Sequence, residues 1–189
     1  MENAETLKIK IMRNRQTWED KILPKVLQKL PPRVQKELSE YEFKKCELKS
    51  YYIWGEIGTG KTLYANHLYV EAHKQSYLDG GRLDVLFYKM YEIINKLKDT
   101  FSDYKQYREI MDRLMTVDVL IIDDFGSSKE SEWLIDTIYQ IIDYRYEYQK
   151  VTIITSNGSL NDISRIFGDD RIPRRIEAMC EIIHKIPKK

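Results

Sequence analysis

One short stretch of the sequence carries the residue types and the spacing of a phosphate-binding loop. It reads Gly55-Glu56-Ile57-Gly58-Thr59-Gly60-Lys61-Thr62 and fits G-x-x-x-x-G-K-[ST] at every fixed position. Glycine permits backbone conformations that other residues avoid, so successive N–H groups can turn inward around phosphate oxygens. Lys61 would place a mobile positive charge near the β- and γ-phosphates, and the Thr62 hydroxyl would coordinate Mg²⁺. The stretch therefore predicts a site for a nucleoside triphosphate and magnesium.

Two carboxylates and one amide follow apolar runs further along the chain. Asp123 and Asp124 end the run of residues 117–124, and Asn157 follows the β-branched run 151–155. Ligands of open α/β sheets bind outside the carboxyl ends of strands, so these side chains are predicted to meet the phosphate loop. We expect Asp123 to hold Mg²⁺ and Asp124 to orient and polarise the water that attacks the γ-phosphate. Asn157 would contact the γ-phosphate or that water, although an Asn-Gly turn alone would also explain it.

The elements that must position these residues alternate between strands and helices. An apolar run such as 117–124 is normally tolerated only in a strand that is buried on both faces, which indicates a central parallel strand covered by helices. Periodicity and turn residues predict strands at 50–54, 85–88, 117–124, 151–155 and 181–186, and helices at 62–76, 90–101, 104–115, 131–148 and 160–167. The predicted fold class is α/β, with a central parallel sheet flanked by helices.

Residues 1–45 lack glycine and are predicted to form a short helical appendage to a core of residues 46–189. Apolar residues recur there at helical spacing and predict one amphipathic helix: Trp18, Ile22, Leu23, Val26, Leu27 and Leu30. Pro31-Pro32 would end that helix. A second short helix is suggested by Val34, Leu38 and Tyr41. An apolar stripe on so small a segment needs a surface to cover, either the core or a protein partner.

Charge and composition limit the kinds of partner. The net charge is +1 and the pI is near 7.7, so contact with nucleic acid would need a local basic patch. Cys46 and Cys180 have no metal-ligand spacing and are expected to be reduced thiols. No run reaches membrane-spanning length and residues 1–10 carry no signal-peptide segment, so we expect a cytoplasmic protein without membrane contact. Candidate basic contacts, which a solvated surface also explains, are Lys8, Lys10, Arg13, Arg15, Lys89 and Lys129.

The ordered motifs resemble those of AAA+ ATPases, and within them the DnaC/DnaI-type helicase loaders and the IstB-type transposition helper ATPases. The run 120–126, Leu-Ile-Ile-Asp-Asp-Phe-Gly, is similar to their acidic strand, in which Asp replaces the more usual Glu. Arg145-Tyr146 upstream of the strand at 151–155 is also similar. The resemblance extends from about residue 45 to the end. It implies a P-loop NTPase fold of AAA+ type. The sequence departs from most AAA+ proteins in one respect, because it stops soon after the last predicted strand and we therefore expect no C-terminal lid domain.

The resemblance also implies roles for individual residues. The loop from Gly55 to Thr62 corresponds to Walker A, Asp123 and Asp124 to Walker B, and Asn157 to the sensor-1 residue. Arg171 and Arg175 are similar to arginines that reach the ATP of a neighbouring subunit, which implies head-to-tail homo-oligomers of ATP-bound chains. Pro173 would start a helix and leave Arg171 on the preceding loop. Alternatively, Arg171 merely pairs with Asp169 or Asp170 at the surface.

The function implied by the resemblance is the loading or remodelling of a hexameric replicative helicase on single-stranded DNA during replication, driven by slow, assembly-dependent ATP hydrolysis. A transposition helper would share the same site and differ only in its partner. A third possibility is a binding module that ATP switches with little hydrolysis. A small-molecule P-loop kinase would need an acceptor pocket and an arginine-rich lid, and the paired acids with Thr155-Ser156-Asn157 argue against it.

Overall fold

Within the residues that the structure describes, one parallel sheet of five strands organises the protein. The computed structural model describes residues 15–40, 47–81, 83–100, 102–127 and 131–185. The strands are β1 (Tyr51–Gly55), β2 (Val85–Lys89), β3 (Val119–Phe125), β4 (Val151–Ser156) and β5 (Glu181–Lys185). All of their pairings are parallel, in the spatial order β2-β3-β4-β1-β5. Strand β4 therefore separates β1, which enters the glycine loop, from β3, which carries the two acids.

Helices connect the strands and cover both faces of the sheet. The α-helices that the structure describes before β1 are α1 (Leu23–Leu27) and α2 (Pro32–Glu40). The helices between the strands are α3 (Lys61–Leu78), α4 (Met90–Asp99), α5 (Tyr104–Thr116), α6 (Glu132–Glu147), α7 (Leu160–Phe167) and α8 (Arg171–Met179). This alternation is the one that the sequence predicts, and the core elements lie within two residues of their predicted bounds. Residues 101 and 186, at which two predicted elements end, lie outside the described residues.

The central strand β3 shows why helices must cover both faces of the sheet. Successive side chains of a strand point to opposite faces. Val119 and Ile121 belong to one apolar cluster with α3, whereas Leu120 and Ile122 belong to a second cluster with helices α4 to α8. All four side chains are almost completely buried. Their continuous apolar run is therefore a consequence of helices packing on both sides of a parallel sheet.

The N-terminal segment is helical but is not the single helix that periodicity predicts. A π-helical turn, Trp18–Ile22, precedes α1, and Pro24 lies in the first turn of α1. Proline has no N–H to donate to the preceding turn, so the regular α-helical pattern is interrupted just before it. The chain then turns, and α2 begins at Pro32. Tyr41 and the predicted boundary between residues 45 and 46 lie outside the described residues, as do Cys46, Lys8, Lys10 and Arg13.

The apolar side of this segment covers the core. Trp18 is 2% exposed and lies 5.8 Å from the Tyr77 ring of α3. Val26 and Leu30 are buried in the cluster that contains Leu68 of α3. The predicted need for a covering surface is thus met, within the described residues, by the α3 side of the sheet.

A buried arginine fixes the connection that leads into β3. Arg145, on α6, is 0% exposed, and its guanidinium donates to Thr152 Oγ1 at 2.9 Å. It also donates to the carbonyl oxygens of Leu114, Met115, Val117 and Val151. Burial lowers its pKa to about 10, against the opposing effect of Asp118. From the sequence, Arg145 was noted only because Arg145-Tyr146 is similar to the corresponding residues of the family. In the structure, Arg145 holds the α5–β3 connection against β4.

The start of α8 differs from the prediction. The helix begins at Arg171, not at Pro173, because Asp169 and Asp170 already supply acceptors for the N–H groups of Arg171 and Arg174. Pro173 is accommodated in the first turn, where helix N–H groups have no intrahelical partner. Arg171 is therefore a helix residue and not a loop residue. In the described part of the chain, no helix combines the length and apolarity that crossing a membrane requires.

Candidate nucleotide-binding site

The glycine loop joins the end of β1 to the start of α3. Gly58 and Gly60 have φ values of +83° and +84°, which other residues rarely adopt. A Cβ atom on either would meet nothing within 4 Å, so open space lies above the loop. The first N–H groups of α3 have no intrahelical acceptor and carry the positive end of the helix dipole. These features fit a phosphate group.

The other loop residues complete this cradle in different ways. Gly55 allows β5 to approach, because a Cβ there would collide with the Lys185 carbonyl. Thr59 Oγ1 donates to the Glu56 carbonyl at 2.9 Å and closes the loop on itself. Ile57 is 87% exposed at its tip. The first glycine of the motif therefore serves packing, and the later ones serve the shape of the cradle.

Lys61 lies under the loop. It is 8% exposed, and its Nζ donates to the carbonyl oxygens of Gly55 (2.8 Å) and Glu56 (2.7 Å). Burial lowers the pKa of Lys61, while Asp124 and Asp123 oppose that shift. The ammonium thus rests on neutral carbonyls within the electrostatic reach of two carboxylates. Phosphate oxygens would be stronger acceptors for it than these carbonyls.

Asp123 connects the loop to the acidic strand. It is 2% exposed and accepts hydrogen bonds from two hydroxyls. Thr62 Oγ1 donates to its Oδ1 at 2.9 Å, and Thr155 Oγ1 donates to the same oxygen at 2.6 Å. Thr62 and Asp123, the two predicted magnesium ligands, are therefore in direct contact. A hydroxyl and a carboxylate are the oxygen donors that Mg²⁺ uses beside nucleotide phosphates, so this pair fits the metal.

Asp124 and Asn157 form a second predicted pair. Asp124 has a φ of +61°, unusual for a residue other than glycine, and its side chain is exposed. Asn157 Nδ2 donates to its Oδ1 at 3.3 Å. The two neighbouring acids thus have different environments, one buried among hydroxyls and one open to the cleft.

A cleft of about 710 Å³ joins these residues. It is large enough for a nucleotide, since ligand pockets usually measure about 300–1,000 Å³. The loop, both acids and Asn157 line it, together with residues that the sequence did not assign to the site: Arg33, Val34, Glu37, Leu63, Tyr91 and Thr155. Lys89, expected as a DNA contact, also lines the cleft. Lys129 lies outside the described residues.

The two predicted arginines lie elsewhere, between α8 and α6. Arg171 donates to Asp169 and to Asp136, both at 2.8 Å, and its guanidinium lies 4.6 Å from the Tyr139 ring. Arg175 donates to Asp143 at 2.6 Å. These carboxylates raise the pKa of both arginines. Neither arginine lines the cleft of its own chain.

Thr155 and the α2 residues are among the site positions that sequence reasoning missed. Threonine is common in strands, so its type gave no signal at position 155. Arg33, Val34 and Glu37 belong to the segment that was treated as an appendage. Only the packing of that segment on α3 brings them to the cleft.

Comparison with known families accords with this geometry. The sequence profile of the family described as IstB-like ATP binding protein matches residues 4–186. This chain belongs to that family. The match includes the N-terminal segment, whereas the resemblance read from the sequence began only near residue 45. The segment is therefore part of what this IstB-like protein shares with its relatives.

Curated relatives of the IstB-like protein include phage and replication proteins. The phage-like element PBSX protein XkdC of Bacillus subtilis is 26% identical over 149 residues, which cover 76% of this chain and 52% of XkdC. The replicative helicase loader DnaC of Escherichia coli K12 is 29% identical over 123 residues, 65% of this chain and 48% of DnaC. The chain thus spans about half the length of the curated relatives that it matches.

Solved structures confirm the expected AAA+ fold class. The crystal structure of the DnaC helicase loader superposes with a TM-score of 0.62 and 26% identity, covering 85% of this chain and 96% of that one. AMPPCP-bound DnaA from Aquifex aeolicus has a TM-score of 0.61 at 20% identity, covering 91% of this chain and 46% of DnaA. The second similarity concerns the fold alone. The described residues of the IstB-like protein end with β5 and contain no lid domain.

We predict that Lys61→Ala abolishes measurable nucleotide binding. Lys61 would contact both the β- and the γ-phosphate, and each charge-assisted contact is worth about 1.5–3 kcal/mol, so losing both would lower the affinity by roughly 10²–10⁴-fold. Titration with a fluorescent ATP analogue measures the change. Lys74→Ala, which removes a lysine paired with Glu71 further along the same helix, is the matched control and should bind like the wild type. Unchanged affinity in Lys61→Ala would remove the phosphate-loop assignment.

Proposed function

We propose that this IstB-like protein binds ATP with Mg²⁺ in the cleft and hydrolyses it slowly, at a rate that depends on assembly. The observation that carries the proposal is the contact of Thr62 with Asp123, two residues that line the cleft, because it joins the glycine loop to the acidic strand. The family description, an ATP binding protein, gives independent support.

The cleft residues would have different roles in ATP binding and hydrolysis. Lys61 would exchange its two carbonyl acceptors for phosphate oxygens, and the loop N–H groups would surround the same oxygens. Thr62 and Asp123 would hold Mg²⁺, which when bound neutralises charge on the β- and γ-phosphates. Asp124 would orient and polarise the attacking water, with Asn157 restraining its carboxylate. The exposure of Asp124 in the cleft and its 3.3 Å contact with Asn157 support these roles.

We predict that Asp124→Asn binds ATP normally and loses hydrolysis. An amide cannot accept the water's proton, and removing a general base typically costs about 10²–10⁴-fold in rate. Equilibrium binding and single-turnover hydrolysis should be measured on the same preparation. Asp112→Asn, an exposed residue of α5 outside the cleft, controls for loss of a surface carboxylate. Hydrolysis at the wild-type rate would mean that Asp124 is not the water-polarising residue.

An arginine from a neighbouring subunit would complete the site. Within one chain Arg171 and Arg175 pair with acids and lie outside the cleft. The Arg171 side chain is 51% exposed and that of Arg175 37%, which favours Arg171 as the residue that crosses an interface. Head-to-tail association uses a different surface on each side and produces rings or open spirals. A guanidinium delivered in this way would make hydrolysis depend on assembly.

We predict that a mixture of Arg171→Ala and Lys61→Ala subunits regains ATPase activity that neither variant has alone. The first variant keeps an intact phosphate loop, and the second supplies the arginine across the shared interface. Arginine fingers contribute about 10³–10⁵-fold in rate, so even a minority of mixed interfaces should be detectable. Arg174→Ala, an exposed arginine on the same helix, should be active by itself. Normal assembly without recovered turnover would exclude a role for Arg171 in trans.

The partner that these relationships favour is a replicative helicase of hexameric form. DnaC relatives are named replicative helicase loaders, and a DnaA structure with TM-score 0.63 is bound to AMPPCP and single-stranded DNA. By analogy the IstB-like protein would place a helicase on single-stranded DNA, which puts it in the cytoplasm of a bacterial cell. The family description equally supports an IstB-type transposition helper, with the same site and a different partner. An ATP-switched binding module with little hydrolysis is the remaining alternative.

The N-terminal segment, residues 1–45, is our candidate for the partner-binding region. In its described part, residues 15–40, the apolar side lies on α3, and Arg33, Val34 and Glu37 line the nucleotide cleft. Nucleotide in the cleft would therefore favour the docked position of the segment, and a partner that draws the segment away would weaken nucleotide binding. Such coupling is reciprocal by thermodynamic linkage.

We predict that a replicative helicase co-purifies with the full chain from its native host and that ATP changes the yield. Lys61→Ala, which would not bind nucleotide, should give a yield that ATP does not alter. A transposase in place of the helicase would support the helper function. Recovery of neither protein, with or without ATP, would contradict both of these functions and leave the switch module.

A further inference from the structure

The pairing of β3 with β4 shifts at the two acids. Asp123 and Asp124 of β3 together face the single residue Thr155 of β4, because the aligned pairs on either side are Ile122 with Ile154 and Phe125 with Ser156. This extra residue in β3 is a bulge, a feature that often redirects side chains beside active sites. In a regular strand Asp123 and Asp124 would point to opposite faces of the sheet.

The Thr155 side chain makes hydrogen bonds to both residues of the bulge. Its Oγ1 accepts from the backbone N–H of Asp124 at 3.0 Å and donates to Asp123 Oδ1 at 2.6 Å. A hydroxyl has only one proton. Because the Thr155 oxygen accepts the hydrogen bond from the Asp124 N–H, the hydroxyl proton is free to point to Asp123. Thr155 is 1% exposed. One buried hydroxyl therefore orients the carboxylate of one acid and the backbone of the next.

The backbone of Asp124 needs this support. Its φ of +61° is sparsely populated for a residue with a Cβ, and such conformations persist only where the surroundings determine them. The bond from its N–H to Thr155 fixes the peptide plane that turns the Asp124 side chain into the cleft. Asp123, one residue earlier, stays 2% exposed. The different environments of the two acids thus depend on the same hydroxyl.

We propose that Thr155 is a positioning residue, which holds Asp123 in the orientation that receives Mg²⁺ and Asp124 in the orientation that receives water. The proposal rests on the function proposed above. Thr62 also donates to Asp123, but it is exposed and is itself a predicted metal ligand. Thr155 is buried and remains as the fixed donor when the Thr62 hydroxyl turns to the metal.

Thr155→Val tests this proposal, because valine keeps the shape of threonine and removes both hydrogen bonds. Affinity for a non-hydrolysable ATP analogue should be measured in EDTA and again across a series of Mg²⁺ concentrations. We expect unchanged affinity in EDTA and a loss of about 10- to 100-fold in the apparent affinity for Mg²⁺, the usual effect of removing a residue that orients a metal ligand. Thr155→Ser, which retains the hydroxyl, should recover most of that loss.

Thr137→Val is the matched control. Thr137 is 1% exposed on α6, and its Oγ1 donates to the Trp133 carbonyl, away from the cleft. It should leave the magnesium dependence unchanged. If Thr155→Val does not fold, Thr155→Cys, with a weakly hydrogen-bonding thiol, takes its place in the same comparison.

Three results would overturn the proposal. The first is a wild-type magnesium dependence in Thr155→Val, and the second is a serine variant as impaired as the valine variant. The third is equal loss of affinity in EDTA and in Mg²⁺, which would indicate a general structural effect. Failure of the proposed function is a separate outcome, because wild-type protein would then gain no affinity for the analogue on addition of Mg²⁺.

Discussion

A carboxylate buried between two strands and a helix is the constraint on which this site depends. Removing an ionised acid from water costs several kcal/mol unless hydrogen bonds replace the solvent. Asp123 receives them from Thr62, at the start of α3, and from Thr155, on β4. Satisfying this one charge therefore fixes the glycine loop and its helix relative to two strands of the sheet. The geometry that a magnesium nucleotide needs is built by the same bonds.

The site is not confined to the sheet and its crossover helices. Trp18 and neighbouring apolar residues dock the N-terminal segment on α3, and Arg33 and Glu37 of that segment, an ion pair at 2.7 Å, lie at the cleft. Surface pairs of this kind contribute little to stability, about 0–1 kcal/mol, so they can be rearranged readily by a ligand. The segment that would meet a partner and the loop that would meet nucleotide thus border the same cavity. This proximity gives a physical route for coupling partner binding to nucleotide binding.

The sequence was sufficient to predict the sheet, its helices and the proximity of the glycine loop to the two acids. Glycine spacing and buried apolar runs are local signals that are strongly constrained by the structure they form. It predicted neither the interruption of the N-terminal helix nor the bulge in β3. The first depends on how the helical chain accommodates Pro24, and the second on the register between two strands. Thr155 and Arg33 became visible only through tertiary contacts. For Arg171 the sequence left two roles open, contact with the ATP of a neighbouring subunit or pairing with a nearby acid. Within one chain Arg171 pairs with Asp169 and Asp136.

The most direct test of the nucleotide site is a crystal structure of the full chain with a non-hydrolysable ATP analogue and Mg²⁺. We expect the triphosphate against the loop of residues 55–62, with Lys61 moved from the Gly55 and Glu56 carbonyls to phosphate oxygens. The metal should lie between Thr62 and Asp123. An analogue bound elsewhere, or bound at the loop with the metal remote from Asp123, would contradict the central claim.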